Sequence, residues 1–381
     1  MYQFSVPMPY TKEAIDKLCS INNQVEKSRI QTLYFSLPSN SCDFTGFENG
    51  RYIYQEVTDF NYWKPLIEYS LEKEFDFVYL LNFPKIFNHE TDNIEQQLEK
   101  LNKLINNLRH TGCNKVRVCN PQLMGYINKN YPDIELYLST LSQMQNIKQY
   151  ENVFLMFNNI KEFVPVFDLN KNFKFLRNIK KKFPNIKIEL MVNEGCISGC
   201  PYQAQHAELL NCKTVNNIDK LYCFSTLFFR NNCSKIMHKN LSNYFSRSNI
   251  IYPWEIEDYS KFGINKFKLV GRNNYEFTIG KYINYYKMYL LGLDNFKNIE
   301  NTPIRLFNNY INNNLNFTAR CKELKKFLPD ISYFKKYGHL CASRCGVECL
   351  YCYKCAKKIQ KVFEKKQEEQ RKMNLPVCYF N

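Results

Sequence analysis

The sequence lacks the patterns that define several common protein classes. No stretch comes near the ~18 consecutive apolar residues of a membrane-spanning helix, and the opening MYQFSVPMPY has no basic region followed by an apolar run. We therefore expect neither a transmembrane segment nor a secretory signal. With 12 glycines, the chain has no Walker A or dinucleotide-binding fingerprint. The HExxH and GxSxG motifs of metallopeptidases and serine hydrolases are absent too.

Cysteine, by contrast, is abundant, with 16 residues in 381. Because no secretory signal is visible, we expect a reducing, cytoplasmic setting, where clustered thiols are more often metal or cluster ligands than disulfides. Isolated cysteines are expected to be small buried apolar residues. They are Cys19, Cys42, Cys113, Cys119, Cys223, Cys321 and Cys378.

Positive charge is also in excess, since 52 Lys and Arg stand against 36 Asp and Glu, for a net charge of +16. Such a surface attracts phosphates, acidic peptides or anionic membranes, but it equally fits a merely solvated lysine-rich surface. Dense basic runs occur only at residues 180–182 and 357–372. Glutamates interleave the second run, which predicts an exposed amphipathic helix.

Short apolar runs alternate with helical patterns over the first 290 residues. Most runs do not alternate with polar residues, which is typical of parallel strands covered by helices. Eight such units predict a TIM-like parallel α/β barrel, with an open doubly wound sheet as the alternative. The predicted strands are residues 30–37, 75–81, 115–119, 134–139, 153–157, 186–192, 249–252 and 265–270.

The pattern becomes irregular and Asn-rich after Leu291, and a Cys-rich turn and a charged helix follow. The sequence thus predicts a barrel over residues 1–290 and a docked C-terminal extension over residues 291–381.

The first candidate site follows the predicted strand at residues 186–192. Glu194, Cys196, Cys200 and His206 fall within one loop, at the end of the strand where barrel enzymes place reactive residues. Soft thiolates select zinc, copper(I) or iron–sulfur clusters, and Pro201 is a common neighbour of cluster ligands. Two thiols do not complete a site, and Cys212 and Cys233 are the next candidates. His206 fits a ligand, a proton donor or a histidine bonded to a backbone carbonyl.

The second candidate site is a run of five thiols in the extension. Tetrahedral zinc and a four-iron cluster each accept four thiolates, so both remain open here. The five are Cys341, Cys345, Cys349, Cys352 and Cys355.

Basic residues at predicted strand ends form a third candidate set. Lys268 lies in the last predicted strand and Arg272 at its end, where barrels often bind anions. Arg51, after Gly50, would enter the same mouth. A barrel lysine held in a salt bridge is the alternative for Lys268.

Several segments, in order, resemble the collagenase-like peptidase family of unknown catalytic type, peptidase family U32. Pro253 to Arg272 is the most specific part, similar to the family pattern R-P-E-D-L…G-I…F-K-x-x-G-R, although Tyr252 and Trp254 flank Pro253 where the family often has Arg and Glu. The resembling segments are residues 33–51, 77–82, 116–123, 192–206 and 252–272, followed by the Cys-rich tail.

The resemblance implies a TIM-like barrel and, in several members, a four-iron–four-sulfur cluster that supports oxygen-independent hydroxylation of ubiquinone precursors or RNA bases. It implies Cys196 and Cys200 as cluster ligands with Cys233 as a third, and Cys212 or a tail thiol as the fourth. Other members are regarded as peptidases.

Three hypotheses follow. The first is an iron–sulfur-dependent modification enzyme, supplied by an electron donor and acting on RNA, another macromolecule or a metabolite, with Glu194, His206, Lys268 and Arg272 as candidate catalytic residues. The second is a peptidase or peptide-processing enzyme, and the third is a binding protein stabilised by zinc in the tail.

Overall fold

The computed structural model describes residues 1–36, 60–82, 93–193, 199–200, 202–204, 250–270, 328–338 and 349–372. Within them, eight parallel strands pair in chain order and close into a barrel, the last pairing with the first. The strands are β1 Tyr2–Pro7, β2 Ser28–Phe35, β3 Asp76–Leu81, β4 Lys115–Val118, β5 Glu135–Leu138, β6 Ile160–Phe163, β7 Lys187–Met191 and β8 Lys266–Lys268. The prediction of a TIM-like barrel is confirmed.

Seven described helices lie among the strands, on the outside of the barrel. They are α1 Lys12–Asn22, α2 Phe60–Glu72, α3 Ile94–His110, α4 Pro121–Asn130, α5 Ile147–Met156, α6 Phe173–Lys182 and α7 Ile256–Ser260. Two further described helices, α8 Ile331–Tyr337 and α9 Tyr351–Lys372, lie in the C-terminal part. In the part of the chain that the structure describes, no helix is long and apolar enough to cross a membrane.

The main core lies between the strands and the helices. In β4, for example, Val116 and Val118 are fully buried against this core, while Arg117 between them faces the other way. Helix α3 shows the matching pattern, since Leu101, Leu104 and Leu108 are buried along one face. This alternation sends every second strand residue into the barrel interior.

Two predicted strands are wrong. Residues 153–157 lie largely in α5, whose start is fixed by a capping box between Asn146 and Gln149. Their apolar residues do not form a buried strand face, because Leu155 is 75% exposed and Met156 is 69% exposed. Residues 250–252 are extended but form no strand, although the Ile251 N–H donates to the Val192 carbonyl at 2.9 Å.

The sequence did not predict two of the observed strands, β1 and β6. Both carry polar residues that face the barrel interior, Ser5 in β1 and Glu162 in β6, so neither looks like a continuous apolar run. Eight strands were expected and eight are present, but two of them come from other segments.

The extension contacts the barrel through α8, which packs on α6. Phe334 of α8 is buried in the main core, and the Lys171 ammonium lies 5.1 Å from the centre of its ring. Lys335 forms an ion pair with Asp258 of α7. Helix α9 is joined to α8 by the stacked rings of Tyr333 and Tyr351, whose centres are 3.8 Å apart. The charged helix predicted near the C-terminus is thus present; the boundary at residue 290 stays a prediction.

Candidate functional site

The barrel interior holds a network of buried charges. Arg117 Nη2 lies 2.5 Å from Glu162 Oε1, and its Nη1 lies 2.6 Å from Glu189 Oε2. Lys266 Nζ lies 2.7 Å from the second oxygen of Glu162. These contacts join β4 to β6, β4 to β7 and β6 to β8, none of which are neighbours, so they cross the interior.

Burial raises the pKa of Glu162, whereas opposite charges keep Glu189 and Lys266 ionised. Burial alone would raise the pKa of Glu189, but attraction by Arg117 and Lys266 outweighs it and lowers that pKa to about 2. The Ser5 hydroxyl donates a hydrogen bond to the same carboxylate. Burial would lower the pKa of Lys266, yet the two glutamates raise it. Glu189 is therefore an anion, and Lys266 a cation, at neutral pH.

Lys268 lies one inward-facing position further along β8. It is 6% exposed, and its Nζ is 4.0 Å from the centre of the Tyr34 ring. The Tyr34 hydroxyl donates to the Leu269 carbonyl at 2.8 Å, which fixes the ring beneath this cation. Lys268 is thus a buried interior lysine in a cation–π contact, at the end of its strand.

Apolar residues close the interior at the C-terminal ends of β6 to β8. Val164, Phe167 and Met191 form a buried cluster, and Val270 packs against it. This cluster therefore lies at the same end of the barrel as the loops that follow β6 to β8.

The loop after β7 is anchored on the same end of the barrel. The Gly199 N–H donates to both carboxylate oxygens of Asp168, at 3.1 and 3.3 Å. Asp168 belongs to the turn Phe167–Leu169 that follows β6. Gly199 has a φ of +68°, which glycine adopts without strain, and Cys200 comes next with its side chain partly exposed. Cys200 therefore lies at the end of the barrel where the strands have their C-termini, and its role as a ligand stays a prediction.

Hydrogen bonds between side chains and backbone hold the start of this loop. The Asn170 side chain donates to the Met191 carbonyl at 2.8 Å. The Asn193 side chain exchanges two hydrogen bonds with the Val270 backbone, at 2.8 and 2.9 Å. The first residues of the loop are thus held by hydrogen bonds that join the C-terminal ends of β7 and β8.

A buried ion pair supports the segment that returns to the barrel. Lys171 Nζ lies 3.4 Å from Glu255 Oε1, and both side chains are buried. Glu255 also accepts from the Tyr252 N–H at 2.9 Å. This pair joins the turn after β6 to the start of α7.

The tail thiols that the structure describes lie beside α8. Tyr333 Oη is 3.2 Å from Cys349 Sγ, and Cys352 packs against the main core. Burial raises the pKa of the Cys355 thiol. The expected Cys-rich turn is wrong for Cys352 and Cys355, because both lie in the first turns of α9.

Nine predicted site residues lie outside the described residues, so their predictions stay untested: Arg51, Glu194, Cys196, His206, Cys212, Cys233, Arg272, Cys341 and Cys345. Among the described residues, no group of three or more His, Cys, Asp or Glu side chains is placed to hold a metal ion. The prediction that Arg51, Lys268 and Arg272 share one pocket is likewise untested.

The sequence prediction missed the charge network. Its signal was present in the strands themselves, where charged residues recur at every second position, as in KVRV and KFK. Such spacing places the charges on one strand face, and opposite charges on several strands predict that this face is enclosed.

Comparisons with known proteins give one family match. The model of peptidase family U32 matches residues 71–328. Among solved structures, the U32 peptidase Mk0906 is 9% identical with a TM-score of 0.43, over 71% of this chain and 92% of its own. Dihydrodipicolinate synthase from Rhodopseudomonas palustris is 10% identical with a TM-score of 0.33, over 77% of this chain and 97% of its own. A search of curated proteins gave no match.

The family match supports an enzyme of the peptidase type or a related kind. Because it covers more than half of the sequence, the chain belongs to peptidase family U32.

Proposed function

We propose that this chain is an iron–sulfur-dependent enzyme that modifies a macromolecule or metabolite by oxygen-independent hydroxylation. The observation that supports it is the position of Cys200, partly exposed at the C-terminal end of the barrel beside the Gly199–Asp168 contact. Reactive groups of this fold gather at that end. Cys196 lies four positions earlier in the same loop sequence.

The donor set fits a cluster by its chemistry. Thiolates are the ordinary ligands of iron–sulfur clusters, and Cys196 and Cys200 would hold it, with Cys233 and either Cys212 or a tail thiol as the further ligands. Such a cluster would supply single electrons. Asp168 would orient the loop through the Gly199 N–H, and the apolar cluster of Val164, Phe167 and Met191 would keep water from the charges below.

A peptidase is the second candidate, and the family match favours it. It would need a nucleophile with a neighbouring base. Both buried glutamates of the interior are committed to Arg117 and Lys266, so neither is a ready base. A zinc-stabilised binding protein, with the metal in the tail, is the third.

Analysis of the iron, sulfide and zinc content distinguishes the three candidate functions. In anaerobically purified protein, the proposal predicts about four iron and four sulfide per chain. Cys196→Ser and Cys200→Ser should each lose most of both, whereas Cys19→Ser, a partly exposed thiol on α1, should keep the content of the parent. Zinc without iron, or full iron in Cys200→Ser, would reject the proposal.

The tail thiols are tested by the same assay. Cys352→Ser should leave the iron content unchanged if the tail has its own metal, and should instead lower any zinc content. Loss of iron in Cys352→Ser would make the tail a contributor to the cluster.

A further inference from the structure

Three helices that are far apart in the sequence share an excess of positive charge. Segments 173–182, 331–337 and 351–361 contain five, two and four Lys or Arg residues, and no Asp or Glu. Helix α8 packs on α6, and Tyr351 at the start of α9 stacks on Tyr333 of α8. The fold therefore joins the basic parts of α6 and α9 through α8.

Most of the exposed cations on these helices are not neutralised by the protein. Lys182 forms an ion pair with Glu151 at 2.6 Å, and Lys335 forms one with Asp258. The other exposed cations of the three segments have no carboxylate partner within the described part of the chain. We call them the basic surface; they are Lys174, Arg177, Lys181, Lys336, Lys354, Lys357, Lys358 and Lys361.

The basic surface begins beside the loop that carries Cys200. The turn that follows β6 contacts both of them. Its Asp168 carboxylate accepts the Gly199 N–H at 3.1 Å. Its Lys171 carbonyl oxygen lies so close to Gly338, just after α8, that an added Cβ on Gly338 would be 2.1 Å from it. The end of α8 and the Cys200 loop therefore meet the same turn.

One lysine of each helix lies close to these contacts. Lys336 precedes Gly338 by two residues, and Lys174 lies in the first turn of α6, which starts shortly after the turn that follows β6. Lys354 lies in the first turn of α9, where its N–H donates to the Leu350 carbonyl at 3.0 Å. All three side chains are exposed. Each helix thus contributes an exposed lysine near the contacts that join the three.

Two exposed apolar side chains lie among the cations at the start of α9. Leu350 is 49% exposed and Tyr353 is 43% exposed, and Lys357 Nζ lies 4.8 Å from the ring centre of Tyr353. An apolar centre with a charged rim is the usual composition of a protein-binding surface. A lipid surface would need a broad apolar helix face, whereas the large apolar residues of α6 are buried.

We infer that the basic surface docks an acidic one-electron carrier protein, of the iron–sulfur or flavin class, that reduces the proposed cluster. This deepens the proposed function by naming a partner, and it rests on that function for the acceptor of the electron. In the step, the carrier loses one electron and this protein gains it, and no bond is made or broken.

Both the position and the charge of the basic surface suit such a carrier. An electron passes between two proteins only when their redox groups come close, so the carrier has to dock beside the Cys200 loop, where this surface begins. Complementary charges speed such encounters, and the interfaces of electron-transfer pairs are small and readily reversed.

The test measures the binding of two acidic carriers, a plant-type [2Fe–2S] ferredoxin and a flavodoxin, by isothermal titration calorimetry. The parent should bind at least one of them, and more weakly as salt rises from about 50 to about 500 mM, because salt screens the attraction. The triple variant Lys174→Glu, Lys336→Glu and Lys354→Glu should bind that carrier at least about tenfold more weakly.

Stopped-flow absorption adds a readout of the electron itself. The reduced carrier should bleach the visible absorption of the triple variant at least about tenfold more slowly than that of the parent. Dithionite, which needs no docking surface, should bleach both within about twofold of the same rate. Equal slowing with dithionite would mean that the variant has damaged the cluster site, and would overturn the assignment of the surface.

A matched control has the same change in charge on other helices. Lys17, Lys103 and Lys129 are exposed on α1, α3 and α4, and the triple change of these to Glu should leave carrier affinity within about twofold. Equal weakening in both triple variants would overturn the inference, because net charge alone would then explain binding. So would failure of both carriers to bind the parent, or a basic surface whose variant loses affinity for a 20-nucleotide RNA but not for the carrier.

Cys200→Ser separates this inference from the proposed function, because the basic surface contains no proposed cluster ligand. If this variant loses iron and keeps its carrier affinity, both stand. If the parent lacks iron yet binds the carrier through the basic surface, the cluster proposal fails and the docking surface stands. If the parent holds iron but binds neither carrier, the docking inference fails alone.

Discussion

Arg117 occupies the interior of the barrel, where a charge is costly unless opposite charges lie against it. It is 2% exposed and contacts two carboxylates on different strands. Removing the guanidinium would leave two anions with one remaining contact cation, Lys266, inside an enclosed space. The network therefore stabilises the barrel only while all its members are present.

Arg117→Met should lower the free energy of unfolding by about 3–5 kcal/mol, measured by urea denaturation. Arg29→Met is the control, because it breaks an Arg–Glu pair of similar length, 2.8 Å, on the surface, where ion pairs contribute little. Similar losses in the two variants would contradict the role given to burial.

Two cysteines of the barrel are buried, whereas Cys200 is partly exposed. Burial raises the pKa of the Cys113 and Cys119 thiols to about 12, which confirms the prediction that both are buried apolar residues. Because the thiolate is the reactive form, neither should react near neutral pH.

Treating the native, metal-free protein with iodoacetamide at pH 8 should modify Cys200 and spare Cys113 and Cys119, as read by peptide mass spectrometry. A raised folded pKa also means that these thiols favour the folded state below an ordinary thiol pKa of ~8.5, and that this contribution is lost as the pH rises towards 12. Early labelling of Cys113 at pH 8 would show that the helix-to-strand turn after α3 opens readily.

At the scale of elements, the sequence predicted the number of strands better than their positions. Residues 153–157 had the composition of a strand, but the local Asn146–Gln149 capping box begins a helix there. Strand β6 carries Glu162 towards Arg117, so its apolar content is low. The first error arises because a local helix-start signal overrides strand-like composition, and the second because a strand that faces a charged interior does not need apolar residues on both faces.

The contact between α8 and the turn after β6 depends on close backbone approach. A Cβ atom added to Gly338 would lie 2.1 Å from the Lys171 carbonyl oxygen, so the backbone would have to move. Lys171 also contacts Glu255 and the ring of Phe334. The packing of the C-terminal end of α8 against this turn is therefore sensitive to one added methyl group at Gly338.

Gly338→Ala should displace α8 from the barrel, raise amide hydrogen exchange in residues 331–338 and leave exchange in β3 to β5 unchanged. Gly125→Ala is the control, since its added Cβ meets Phe157 at an ordinary 3.8 Å. Unchanged exchange in Gly338→Ala would mean that α8 is held by other contacts.

For the whole molecule, the sequence predicted the barrel and the end of it that carries Cys200, because strand-like runs and clustered thiols are local signals. It did not predict the interior charge network. That network depends on which distant segments become neighbours, as when Arg117 meets Glu189 across the barrel. Charges at alternate strand positions indicate an enclosed strand face, but which of them meet is decided only when the barrel closes.

We propose that the loop carrying Cys196 and Cys200 holds a redox-active iron–sulfur cluster at the barrel mouth. This is tested by the visible absorption spectrum of anaerobically purified protein, recorded before and after reduction by dithionite. We expect a broad thiolate-to-iron charge-transfer band that bleaches on reduction and is missing from Cys200→Ser but kept in Cys19→Ser. A colourless parent protein, or a band of equal strength in Cys200→Ser, would contradict it.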